Sequence, residues 1–203
     1  MTVRARDGAR TKARIETEAL RLFAEKGVDG TSVRDIASAV GVAEGALYRH
    51  FPGKETLSRS IFLHGYATLA ARILAIGRAG KTFEETVDEV IGAFCSLFDE
   101  DRPLFAFLLL TQHTNLHDVP SHPEDNVVEA VRCIFSNAMS RGEIPAQDAD
   151  LLSALALGIV GQPATFTIYG RLAGPLSARR RELTEAVLSV AGARLLRPQR
   201  KGA

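Results

Sequence analysis

The chain has no tryptophan, two cysteines, two methionines and three tyrosines among 203 residues. Cys95 and Cys133 lie far apart, with no metal-ligand partner at short spacing. That argues against a disulfide scaffold and fits two buried thiols in a reducing compartment. Long apolar runs are also scarce: the longest, Leu104–Leu110, is too short to span a bilayer. No secretory leader opens the sequence, so the expectation is a cytoplasmic protein with no membrane contact. Nucleophile elbows, glycine-rich dinucleotide loops and phosphate-binding loops are missing too. Acidic groups such as Glu84-Glu85 and Asp99-Glu100-Asp101 fall in first turns of helices or in turns, where they favour the helix macrodipole. The chain is expected to be no enzyme: no catalytic residue, metal site or cofactor is assigned.

Charge of one sign is lacking as well, the net being +1. Residues 1–60 hold 11 Lys and Arg against 8 Asp and Glu, leaving 14 against 16 in residues 61–203. A general basic field is therefore excluded. Any affinity for nucleic acid must come from a few placed cations.

What is present is concentrated in Ser32–Phe51, SVRDIASAVGVAEGALYRHF. Ser32 followed by Asp35 is a capping-box pattern that opens a helix. Ile36, Ala37 and Val40 lay an apolar stripe along it. Gly41 supplies the left-handed residue that ends it. A second helix restarts at Ala43 or Glu44, turning Leu47 and Phe51 inward and Tyr48, Arg49 and His50 outward. Two helices across a short glycine-containing turn make a helix-turn-helix, whose second helix enters the major groove. Glu44, Gly45, Tyr48, Arg49 and His50 are thus candidate contacts to bases and phosphates. Lys54 follows the Pro52-Gly53 turn at the next helix start, where a phosphate can meet both the ammonium and free backbone N–H groups.

Three patterns extend this reading. They are Phe23, Gly27, Thr31, Ser32 and Val33; the pairs Ile36-Ala37 and Gly41-Val42; and Gly45 to Phe51 followed by Lys54. Together they resemble the N-terminal domain of the TetR family of one-component bacterial transcriptional regulators. The resemblance covers roughly the first quarter of the chain. It implies an all-α fold of about nine helices, with residues 1–53 as a three-helix DNA-binding domain and 54–203 as a bundle for effector binding and dimerisation. Thr31, Ser32, Val33 and Arg34 join the candidate DNA contacts. The implied partners are a double-stranded operator, a small effector and a second copy of the chain. The implied function is a ligand-responsive repressor that binds an inverted repeat and is released by a small lipophilic effector. The alternative is a DNA-binding regulator governed by a protein partner or by no effector.

Along the chain, Met1–Gly8 reads as an arm carrying Arg4 and Arg6, and the first helix spans about Ala9–Lys26. Arg10, Lys12 and Arg14 near its start are further candidates for phosphate contact. The fourth helix, Lys54 to about Arg78, is long enough to link the two domains mechanically. From Thr82 onward the pattern is helical throughout. Thr82 and Glu85 form a second capping box, opening a helix to about Phe98. Further helices are expected near Pro103–Asn115, from Pro123 to about Arg141, at Gln147–Leu172 and at Ser177–Leu196, before a basic tail of Arg194, Arg197, Arg200 and Lys201.

The last two helices are rich in small and apolar residues. Two such helices from each of two subunits make a four-helix interface. One helix-turn-helix reads few base pairs, whereas a dimer reads two half-sites about one turn apart. An effector site in the bundle is expected among Phe94, Phe98, Phe105, Gln112, His113, Phe135, Met139, Gln162, Phe166 and Tyr169. Taken singly, each of these reads first as core filling. His113 and His117 stand at i, i+4, with His122 beyond, but the expected helix end near Asn115 favours loop histidines over a metal site.

Overall fold

The structure is a computed structural model, and it describes residues 3–193. Regular structure in those residues is entirely helical: nine α-helices and two short 3-10 turns. They fall into two compact units. One comprises Met1–Gly65 with Pro103–Asp118, the other Tyr66–Arg102 with Val119–Ala203.

The first unit is built on α1 (Val3–Lys26), α2 (Val33–Val40) and α3 (Glu44–Tyr48), with the first half of α4 (Lys54–Gly77) and most of α6 (Arg102–Asn115). Ser32 and Asp35 close the expected capping box: Asp35 N–H donates to Ser32 Oγ at 3.1 Å, and Ser32 N–H donates to the Asp35 carboxylate at 2.9 Å. Gly41, at φ 74°, ends α2 in the left-handed conformation that a Cβ would strain. Ile15, Ala19, Leu22 and Phe23 of α1 are buried, as are Ile36, Ala37, Val40, Leu47 and Phe51. Each large side chain buried this way contributes about 1.5–3 kcal/mol. Phe107 of α6 stacks on Phe23 at 5.9 Å, so this aromatic belongs to the core beneath the helix-turn-helix.

The second unit contains α5 (Phe83–Glu100), α7 (Val127–Ser140), α8 (Ala149–Ile168) and α9 (Arg180–Val190). Thr82 and Glu85 form the second capping box as expected. At the other end of α5, the Asp99 carboxylate accepts from Leu176 and Ser177 N–H at 2.8 and 3.0 Å, holding the 3-10 turn Leu176–Arg179. Arg180, opening α9, donates to both carboxylate oxygens of Asp88 at 3.1 and 2.6 Å. Its guanidinium lies over Gly92, where a Cβ would sit 2.5 Å from Cζ.

Several expected boundaries move. α1 begins at Val3, so residues 3–8 are helix rather than an arm; the side chains of Arg4 and Arg6 lie outside the described residues. α7 starts at Val127, because Asn126 caps it by accepting from Val128 and Glu129 N–H; Pro123 sits in the preceding turn instead. α8 starts after the Asp148 cap and ends at Ile168. α9 ends at Val190, with Gly192 at φ 71° beyond it. Leu196 and the basic tail lie outside the described residues. The expectation that no stretch could span a bilayer also needs correction. By length and composition α4 and α8 both could, and only 28% of the apolar window of α8 is buried.

Candidate nucleic-acid interface

Three stretches of the first unit converge on one open groove of about 670 Å³. They are the approach to and start of α2 (Asp29–Asp35), the outer residues Glu44 and Tyr48 of α3, and the turn into α4 (Pro52–Glu55). Buried Leu47 and Phe51 anchor the second helix, fixing which of its side chains face outward. α3 is shorter than expected, at five residues. Glu44, Gly45, Tyr48 and Arg49 are exposed, Tyr48 to 52%, and His50 is half-buried. A Cβ on Gly45 would meet nothing within 4 Å, so close approach is open there. Arg49 Nε makes a long contact, 3.4 Å, to the Gly45 carbonyl oxygen, leaving most of its guanidinium donors outward.

The candidates at the start of α2 divide. Thr31 is 1% exposed, and its hydroxyl donates to the carbonyl oxygen of Gly27 at 2.8 Å. Its side chain supports the loop and does not reach outward, contrary to expectation. Ser32 is exposed, yet its hydroxyl and N–H are engaged with Asp35. Those bonds, the side-chain one first, hold the Asp35 carboxyl below the usual carboxylate range. Val33 is half-buried, and Arg34 projects into solvent.

The cations also have internal work. Lys54 Nζ donates to the carbonyl oxygens of Val28 and Asp29 at 2.9 and 3.3 Å, tying the α1–α2 loop to the start of α4. An ammonium has three donors, so one stays available. Arg14 donates to the Val40 carbonyl oxygen, satisfying the C-terminal end of α2. Lys12 Nζ stands 5.6 Å from the Phe51 ring centroid. Sequence reasoning assigned both cations to phosphates and missed these roles, since nothing in local spacing links them to Val40 or Phe51. It also passed over Asp29, Gly30 and Glu55, which line the groove.

The expected effector-site residues are divided between the two units. Phe105, Gln112 and His113 belong to the first unit, and the other seven to the second. Phe98, Phe105 and Phe135 are buried as core, with Phe135 packed at 5.7 Å on Phe83. Phe94, Gln112 and Met139 are half-buried, and Met139 Sδ accepts from Gln147 N–H at 3.3 Å. His113, Gln162, Phe166 and Tyr169 are exposed. α8 is apolar nearly all round and packs on α7 and α9, so one flank, with Phe166 and Tyr169, stays uncovered. His117 lies in the 3-10 turn Leu116–Asp118 beyond α6, which breaks the helical register with His113.

Comparison with known proteins places this geometry. Residues 15–61 match the family described as bacterial regulatory proteins, tetR family. The HTH-type transcriptional regulator YerO of Bacillus subtilis (strain 168) is 35% identical over 159 residues, 73% of this chain and 53% of that protein. The HTH-type transcriptional repressor KstR2 of Rhodococcus jostii (strain RHA1) is 43% identical over 73 residues, 36% of each chain. The match thus spans about half the length of YerO and about a third of KstR2. The fold is that of the transcriptional regulator FadR from Bacillus subtilis, solved in complex with stearoyl-CoA: TM-score 0.72 at 22% identity, covering 87% of this chain and 97% of that one. With its helix-turn-helix inside the matched stretch and this fold along most of its length, the chain belongs to the TetR family.

Proposed function

We propose that the protein is a DNA-binding transcriptional repressor, acting as a homodimer in the cytoplasm and released from an inverted-repeat operator by a small lipophilic effector. The observation that carries the DNA-binding part is the outward face of α3. Glu44, Tyr48 and Arg49 are exposed beside the starts of α2 and α4, while Leu47 and Phe51 hold the helix from behind. Residues 1–53 are assigned to DNA binding and 54–203 to effector binding and dimerisation. The matched relative KstR2 is itself named as a repressor, which supports repression over activation.

Dimerisation is assigned to α8 and α9. Leu151, Leu155 and Phe166 of α8, Tyr169 at its C-cap and Val190 of α9 are large apolar groups exposed in the single chain. A second copy covering them also accounts for the apolar character of α8 without a membrane. The lipophilic effector class is supported by the stearoyl-CoA bound to FadR. Release follows if the effector prefers a conformer in which α4, which contributes to both units, has changed its tilt. Moving occupancy from nearly all to nearly none needs a preference of about 10⁴-fold, about 5.5 kcal/mol.

Selection from a random duplex library tests the DNA reading, the expected product being an inverted repeat with half-sites about one helical turn apart. A thermal-shift screen against acyl-CoAs, steroids and other lipophiles tests the effector. The burial of Phe98, Phe105 and Phe135 in the core favours a second reading, a regulator controlled by a protein partner or by no effector. No stabilisation across the screen, with operator binding intact, decides for it.

A further inference from the structure

Glu44 is an oddity on a surface meant for a polyanion. α3 shows solvent few side chains: Ala46 is half-buried, Leu47 is buried and Gly45 has none, leaving Glu44 and Tyr48. Glu44 is exposed and makes no ion pair or hydrogen bond to any described residue. Of the other acids on this groove, Asp35 is occupied by Ser32, and Asp29 and Glu55 lie off α3, in the α1–α2 loop and at the start of α4. A free carboxylate facing a duplex is repelled by its phosphates, and that repulsion is offset only where the carboxylate meets a donor.

An ionised carboxylate only accepts hydrogen bonds. In the major groove the donors are the N4 amino group of cytosine and the N6 amino group of adenine. Guanine offers N7 and O6, and thymine offers O4, all acceptors that a carboxylate avoids. Adenine carries the N7 acceptor beside its amino group, whereas cytosine carries no acceptor of its own on the major-groove edge. Gly45, with open space where a Cβ would be, adds no side chain beside Glu44 to hold it away from a base.

We propose that Glu44 is a specificity-determining residue that requires a cytosine at one fixed position in each operator half-site. This assignment rests on the DNA-reading role of α3 and adds the base that its first residue selects. The same carboxylate lowers affinity for every duplex lacking that cytosine, so it discriminates by repulsion as well as attraction.

The test repeats duplex selection with the wild-type protein, Glu44→Ala and Glu44→Gln, each checked for an unchanged thermal melt. The wild type is expected to favour cytosine at one position per half-site by about tenfold or more. Glu44→Ala should lose preference there alone, keep the rest of the motif and bind unrelated duplex a few-fold more tightly. Glu44→Gln should move the preference toward adenine, because a carboxamide can pair with both N6 and N7. An unchanged motif for Glu44→Ala overturns the assignment while leaving DNA reading by the protein intact. Absence of any wild-type motif overturns both.

Discussion

Lys54 of α4 reaches back 26 positions to the carbonyl oxygen of Val28, with Nζ donating at 2.9 Å. The α1–α2 loop and the α4 start are thereby held together on the groove that α3 borders. A cation that sequence patterning assigns to phosphate is, in the free protein, first a strut. Lys54→Met keeps the aliphatic stem and removes the donors, so unfolding free energy should fall by about 1–2 kcal/mol. Operator and unrelated duplex should weaken alike, with the salt slope reduced by about one if the third donor meets a phosphate. Urea denaturation and anisotropy titrations at several salt concentrations measure both effects. A changed base preference at full stability contradicts the role.

Gly92 and Arg180 couple in the second unit. Alanine in mid-helix gains about 1 kcal/mol over glycine, but a Cβ at Gly92 pushes the guanidinium off Asp88. The exposed ion pair it disturbs contributes up to about 1 kcal/mol. Gly92→Ala alone should therefore change stability by about zero, and should stabilise by about 1 kcal/mol when Arg180→Ala is already present. A double-mutant cycle in urea reads the difference, and additive effects contradict the contact.

Asp99 gives the fold a pH dependence of known sign. Burial alone raises its pKa, yet hydrogen bonds from Ser177 and Leu176 together bring the carboxyl below its usual value. A depressed folded pKa stabilises at neutral pH, and that contribution is lost as pH falls through the folded value, below about pH 4. Asp35 and Glu85, both lowered through their caps, act in the same direction. Asp99→Asn should lower the melting temperature at pH 7 and flatten its decline between pH 5 and 3. A variant that matches the wild type at both ends shows that Asp99 does not hold the 3-10 turn.

The exposed flank of α8 predicts assembly. Leu151 and Leu155 are 58% and 42% exposed, so glutamate at both positions leaves the core of the chain untouched. The double variant should sediment as a monomer and lose operator binding while keeping its helical content. A wild type that is itself monomeric at micromolar concentration excludes α8 as a dimer face.

Much of the fold was legible because its punctuation is local. Ser32 with Asp35 and Thr82 with Glu85 lie three residues apart, and Gly41 stands directly after the helix it ends. Where two local signals compete, Pro123 suggests a helix start that Asn126 makes. α8 carries little periodicity to read, because apolar residues surround it, and its spacing does not show that Phe166 and the following Tyr169 are exposed in the single chain. Partners such as Val28 for Lys54 or Val40 for Arg14 are distant in sequence and leave no trace in spacing. The outward Glu44, Tyr48 and Arg49 were readable because buried Leu47 fixes the helix phase.

The central claim is that the outer face of α3 reads DNA, and Tyr48 tests it most directly. Tyr48 is half exposed, so Tyr48→Ala should leave stability within about 0.5 kcal/mol of wild type. In an anisotropy titration against the selected operator, its dissociation constant should rise by about tenfold or more, as expected for loss of one good contact. Binding of Tyr48→Ala as tight as wild type, on the same duplex and at the same salt, would contradict the account.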